Sequence, residues 1–321
     1  MRNDTFPQLL MDRLEFALGK IEMSAAYREL MLSIASRNLA GQFQNTDSRT
    51  PFVLLPSMCC QACGEAPERS IGVTAAWFLL QVSAHLLDKV EDEELNLVGP
   101  AFSNAGVITN LTTGMIFVAQ WILNHLELDC VDAGAAWDIQ RAFHETVLSV
   151  CSGQHLDLSV TLPDLTTCWQ IAEAKSGAAF SLACYTGARL ATCRSDILDG
   201  LQQFGRHLGT IIQISDDLED VIEIGNSNFG QRIDKTLVGA YMSFVECTSS
   251  EAPANVLCDS RQESIQQKII RKGSVLYLQL ESLKYAALAE NELKRLKLAN
   301  DFYAVLMAIV YRESRLGSTI N

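Results

Sequence analysis

Three aspartates in the middle of an apolar helix constrain this chain more than any other feature. They lie in the run Gln213, Ile214, Ser215, Asp216, Asp217, Leu218, Glu219, Asp220, flanked by Leu208, Ile211, Ile212, Val221 and Ile222. Residues four apart stack on one face of a helix, so Asp216 and Asp220 project together. Asp217 lies about 100° around the axis. Carboxylates set into an apolar surface are costly unless a cation or a hydrogen-bond donor compensates. An all-oxygen donor set suits a hard divalent ion such as Mg²⁺. The competing reading is a solvated acidic patch, the ordinary fate of charged side chains.

Helical periodicity runs from end to end of the chain. It predicts helices over roughly 7–40, 51–64, 67–93, 101–127, 133–152, 164–190, 195–224, 235–248, 260–290 and 290–315. Strand-like alternation is scarce and only seven prolines are present. No internal repeat and no long polar linker is visible, so residues 1–321 are expected to form one all-α domain.

The chain carries 25 basic against 38 acidic residues, a net charge of −13. No basic run or aromatic-basic interleaving is present, which excludes nucleic acid as the expected partner. An acidic protein can still bind an anion if carboxylate-held metal ions and local lysines supply the positive charge. No run of 18 or more apolar residues exists, so no transmembrane helix is expected. Segment 103–126 comes closest, and Asn104, Asn110, Thr112, Thr113 and Gln120 interrupt it. The ten cysteines are scattered and no signal-peptide pattern opens the chain, so reduced thiols in a cytoplasmic protein are expected. Cys59, Cys60 and Cys63 lack a fourth zinc ligand and read as small residues on a packed helix.

A second acidic cluster closes another apolar helix: Asp88, Lys89, Val90, Glu91, Asp92. Asp88 and Asp92 are again four apart. Two such pairs suggest facing metal-ligand walls. Between them stand the run Gly153, Gln154, His155, Leu156, Asp157, Leu158, read as an interruption of a helix, and a lone cation in Lys175, Ser176, Gly177. Lys235 follows the loop after the second motif. Alone, each lysine reads as a solvated surface group; beside carboxylate walls, each becomes a phosphate ligand.

From about Pro51 to Leu237 the chain resembles the trans-isoprenyl diphosphate synthases, the polyprenyl synthetases. The resemblance rests on Gln213 with Asp216, Asp217 and Asp220, on Gly153, Gln154, Asp157 and Leu158, and on Lys175, Ser176 and Gly177. It implies the isoprenoid synthase fold, a single helical bundle around a central cavity. It implies a metal site of Asp88, Asp92, Asp216, Asp217 and Asp220 holding Mg²⁺, three ions in the family. It implies a prenyl diphosphate bound through Lys175, Gln213, Lys235 and Gln154, with Asp88, Asp92, Asp216, Asp217 and Lys175 serving catalysis. The expected assembly is a homodimer or a heteromer.

The chain departs from the family where the second substrate would sit. Lys89 replaces one aspartate of the first motif. The Gly-Lys-x-Arg-Pro element is reduced to Arg49 and Pro51, and no cation lies in 95–99, where the family has an Arg pair. These losses favour an enzyme that ionises a C15–C20 allylic diphosphate and then cyclises it or alkylates another acceptor. The alternatives are condensation with isopentenyl diphosphate and a non-catalytic subunit of a heteromer. Asp216, Asp217 and Asp220 differ from the Asn-Asp-x-x-Ser/Thr pattern of ordinary terpene cyclases, which places the chain nearer the synthases. Below Asp88, small Ser83 and Ala84 leave room for a chain, with Leu80 and Trp77 as the floor and Phe180 lining the pocket.

Overall fold

Breaks decide the architecture of a chain this rich in helix formers, and short polar caps set several of them. The computed structural model describes residues 6–44, 51–91, 104–223, 233–248, 265–298 and 302–315. Among these residues every regular element is helical. In order they are α1 (Phe6–Lys20), α2 (Ala25–Gln44), α3 (Leu55–Ala62), α4 (Ile71–Glu91), α5 (Ala105–Leu123), α6 (Ala133–Ser159) and α7 (Leu165–Ala172). There follow α8 (Ala178–Ala191), α9 (Ser195–Glu223), α10 (Leu237–Thr248), α11 (Ile265–Lys272), α12 (Ser274–Arg295) and α13 (Phe302–Arg315).

Several expected boundaries move, each for a local reason. The helix expected over 7–40 divides at Ile21–Ser24, where Ser24 Oγ accepts from the Tyr27 backbone N–H at 3.3 Å. Asn104 does not interrupt α5 but caps it, its Oδ1 accepting from the N–H groups of Gly106 and Val107 at 2.9 and 3.3 Å. Asp132 and Asp164 cap α6 and α7 in the same way, at 2.9 and 2.7 Å. Gly153 and Gln154 do not break a helix either, because α6 runs on to Ser159. Gly273, at φ +76°, separates α11 from α12.

The chain divides into two compact units. The first comprises Met1–His144, Leu182–Leu201 and Leu296–Tyr303. Its centre is α4, packed along α5 with Trp77 and Phe78 fully buried. Ser83 Oγ donates to the Thr112 carbonyl across that contact at 3.4 Å. The Arg13–Asp129 ion pair, 3.2 Å long and nearly buried, ties α1 to the turn after α5. Cys59 and Cys60 are fully buried on α3, and burial pushes the Cys60 thiol up to about 12, so they pack as small apolar residues.

Both α4 with its preceding turn, Pro67–Glu91, and α5 are long and apolar enough to cross a membrane, each with mean hydropathy 1.4. Length and composition alone do not make either a clear transmembrane segment. The apolar stretch of the first is 72% buried inside the protein, which accounts for its hydropathy as core packing, and that of α5 is 44% buried.

The second unit comprises Glu145–Ser181, Gln202–Arg295 and Ala304–Asn321. Its core joins Cys168 and Ala172 of α7, Ile214 and Leu218 of α9, Val238 of α10 and Leu278 of α12. The amphipathic pattern of α9 supplies this face and leaves its aspartates at the border. The helix expected over 164–190 is unbroken but not uniform. A π turn at Glu173–Gly177 joins α7 to α8. π turns are rare and concentrate at functional sites.

Candidate active site

The π turn is wedged between two glycines. Gly153 of α6 faces it from one side: a Cβ there would lie 2.8 Å from Ala174 Cβ and 3.3 Å from Lys175 Cγ. Gly209 of α9 faces it from the other: a Cβ there would overlap the Ser176 carbonyl oxygen and lie 2.7 Å from its carbon. The missing side chains let both helices close on the turn. Lys175 then runs past Gly153 and places its Nζ 2.9 Å from Asp157 Oδ2, one helical turn further along α6. Lys235, in the 3-10 turn Ile233–Lys235 ahead of α10, reaches the same residue, its Nζ donating to the Asp157 carbonyl at 3.1 Å.

A chain of hydrogen bonds joins the π turn to the acidic motif. Ser176 Oγ donates to Gln213 Oε1 at 2.8 Å, and Gln213 Nε2 donates to Asp217 Oδ1 at 2.9 Å. Asp217 Oδ2 accepts from the Leu237 backbone N–H at 2.7 Å, at the N-terminus of α10. Each end of the Gln213 amide is thus engaged. Gln213 is the residue expected as a direct diphosphate ligand, and its amide bridges Ser176 and Asp217. Asp217 is 6% exposed and serves first as the anchor of α10.

Asp157, Lys175, Lys235, Gln213 and Asp217 line one recess with Cys168 and Leu237, of about 50 Å³. Such a space admits a few waters or a polar group, not a hydrocarbon chain. Burial pushes the Asp217 carboxyl up to about 7, against the pull of Gln213 and the Leu237 N–H. Burial and the charges of Asp217, Glu219, Asp220 and Glu313 push Asp216 up to about 8. The Asp216 side chain nevertheless reaches solvent, and repulsion among the like charges around it adds to the shift.

Among the described residues no three acidic, histidine or cysteine side chains converge as a ready metal cage. That does not conflict with Mg²⁺, which keeps several waters and takes one or two carboxylates beside substrate phosphates. Asp216, exposed and crowded by like charges, and Asp220, half-buried one turn on, fit that donor chemistry.

Gln154 is half-buried on α6 and Phe180 is buried on α8. Asp88 is half-buried near the end of α4, in the first unit. On that helix Trp77 and Leu80 are buried, Ala84 is exposed, and Ser83 is turned into the contact with α5. Asp92, Arg49 and 95–99 lie outside the described residues. Sequence reasoning quoted Asp157 and Ser176 without giving them work, and passed over Gly209. The signal for Asp157 was its four-residue spacing from Gly153, which puts both on one face.

The polyprenyl synthetase family model matches residues 49–251. No curated protein matches the chain. Among solved structures, the geranylgeranyl pyrophosphate synthetase of the archaeon Geoglobus acetivorans is similar at TM-score 0.75 and 17% identity, covering 97% of this chain and 98% of that one. The polyprenyl synthetase of Streptomyces coelicolor A3(2) gives TM-score 0.71 at 18% identity, covering 97% and 98%. A geranylgeranyl pyrophosphate synthase from Corynebacterium glutamicum, complexed with isoprenyl diphosphate and magnesium, gives 0.67 at 17%, covering 98% and 99%. The fold is therefore the all-α isoprenoid synthase fold. With the family model spanning well over half its length, the chain belongs to the polyprenyl synthetase family.

Proposed function

We propose that the chain, as one catalytic domain, is a prenyltransferase of the prenyl diphosphate synthase type, joining an allylic prenyl diphosphate of up to C15–C20 to isopentenyl diphosphate. Family membership supports this reading over the terpene synthase that the missing cations of 47–51 and 95–99 favour. The observation that carries it is the recess where Lys175 and Lys235 meet the acidic motif of α9. Diphosphate leaves only when its charge is neutralised as the C–O bond breaks. Mg²⁺, held by Asp216 and Asp220, would supply Lewis acidity. Lys175 and Lys235 add fixed positive charge where the leaving group accumulates negative charge. Asp217 and Gln213 keep the turn bearing Lys235 and the turn bearing Lys175 in place. With this reading go a cytoplasmic setting, which suits free thiols, and a homodimer or heteromer.

The test is incubation with Mg²⁺ and geranyl, farnesyl or geranylgeranyl diphosphate, with and without isopentenyl diphosphate. A longer diphosphate formed only with isopentenyl diphosphate is the expected result. Hydrocarbon or alcohol from the allylic substrate alone would instead support the terpene synthase. Absence of diphosphate release in every arm would point to a non-catalytic subunit, which Lys89 in the first motif favours.

A further inference from the structure

The geometry points to Asp157 as a positioning residue that sets the spacing of two ammonium groups and so selects a ligand with two linked phosphates over one. The inference rests on the diphosphate reading above and extends it to a residue outside the acidic motifs.

One residue tethers both lysines. The Asp157 side chain takes Lys175 at 2.9 Å and its backbone carbonyl takes Lys235 at 3.1 Å. The carboxylate and the carbonyl of a single residue are held apart by covalent geometry, so the two Nζ atoms cannot drift independently. Each tether accounts for one of the three donors an ammonium carries. A long lysine side chain is otherwise free among many rotamers, and fixing it beforehand removes that loss from binding. The Lys175–Asp157 pair is about three-quarters shielded, with side-chain exposures of 23% and 24%, so solvent does not fully screen it. Gly153 completes the device. Its bare Cα gives the Lys175 stem a track along α6, with Lys175 Cγ 3.3 Å from where a Cβ would stand. A glycine followed four residues later by an aspartate thus builds a groove and its end stop on one helix face.

The two tethers differ in chemistry, which makes the inference separable. Asp157→Asn removes the charge that holds Lys175 and leaves the carbonyl that holds Lys235. Released Lys175 no longer sits at a fixed distance from Lys235. Binding of inorganic diphosphate should weaken about tenfold, whereas inorganic phosphate, which needs one lysine, should change less than twofold.

The experiment is calorimetric titration of the full-length protein with inorganic diphosphate and inorganic phosphate, each with Mg²⁺. The variants are Asp157→Asn, Lys175→Met, the pair combined, and Asp157→Glu. We expect the ratio of the two affinities to narrow in Asp157→Asn and in Lys175→Met, with no further loss in the double variant, because Asp157 acts through Lys175. Asp157→Glu, which keeps the carboxylate, should recover part of the ratio. Equal weakening of both ligands, or additive losses, overturns the inference and leaves a merely structural aspartate. Gly153→Ala offers a second route should Asp157→Asn fail to fold. It displaces the Lys175 stem with every charge intact, and an unchanged ratio there also overturns the inference. If the unaltered protein binds neither ligand, it is the diphosphate reading that falls.

Discussion

Gly209 of α9 lies against the backbone of Ser176, so close that a Cβ would stand 2.7 Å from the Ser176 carbonyl carbon. The obstacle is backbone inside a π turn, which cannot swing aside as a flexible side chain would. Alanine is the better helix former by about 1 kcal/mol. Forcing the helix and the turn apart costs about 1–3 kcal/mol or more. Gly209→Ala should therefore lower stability to urea by a net of up to about 2 kcal/mol or more and reduce activity further. A stabilised Gly209→Ala variant would mean that α9 and the turn do not approach as described.

Gln213 should behave as a strut. Its replacement by leucine strands the Ser176 hydroxyl and one oxygen of the buried Asp217 carboxylate. Each stranded group costs about 1–3 kcal/mol. Gln213→Leu should lose more stability than Ser176→Ala, which removes only one end of the chain. Urea titration of the two variants checks the order, and a milder Gln213→Leu would show the amide to be dispensable.

Asp216 and Asp217 fix a pH dependence. Both carboxyls are pushed above their ordinary 3.8, to about 8 and about 7. A raised value means that the folded protein binds protons more readily than the unfolded chain. The associated stability is complete below the ordinary value and is lost as pH rises through the folded one. In EDTA the melting temperature should accordingly fall between pH 5 and pH 8. Mg²⁺ needs the ionised carboxylates, so its stabilising shift should be larger at pH 8 than at pH 5. Thermal melts at the two pH values, with and without Mg²⁺, measure both effects. A larger Mg²⁺ shift at pH 5 would remove Asp216 from the metal site, as would full turnover in Asp216→Ala.

Ser83 and Ala84, adjacent in sequence, should part company on mutation. Ser83 is fully buried and bonded to Thr112, whereas Ala84 is exposed on the face that leads to Asp88. Ser83→Phe should destabilise the first unit by about 1–3 kcal/mol through overpacking. Ala84→Phe should fold normally and shorten the accepted prenyl chain. Product lengths by chromatography decide it, and unchanged selectivity in Ala84→Phe would move the pocket elsewhere.

What the sequence revealed follows from how locally each feature is encoded. Helical periodicity is written every three or four residues, so the all-α class was readable. The pairing of Asp216 with Asp220 was readable for the same reason. Contacts between distant segments left no such trace. Nothing near Gln213 announces that Ser176 will take one end of its amide, or that the Leu237 N–H will take an oxygen of Asp217. The glycines misled for a physical reason. Gly153 reads as a helix breaker by propensity, yet its value lies in what a neighbouring segment needs, and α6 absorbs the small propensity cost over 27 residues.

The π turn at Glu173–Gly177 holds one residue more than a regular helix would. Deleting a single residue there would let α7 and α8 run on as one uniform helix, with a gain in local regularity. It would also rotate everything on one side of the deletion by about 100° relative to the other. Lys175 would swing off its line to Asp157 while the hydrophobic faces on either side lost their common register. The Lys175–Asp157 link thus depends on an insertion one residue long, and removing that residue would cost the protein both this link and the packing of the helices around it.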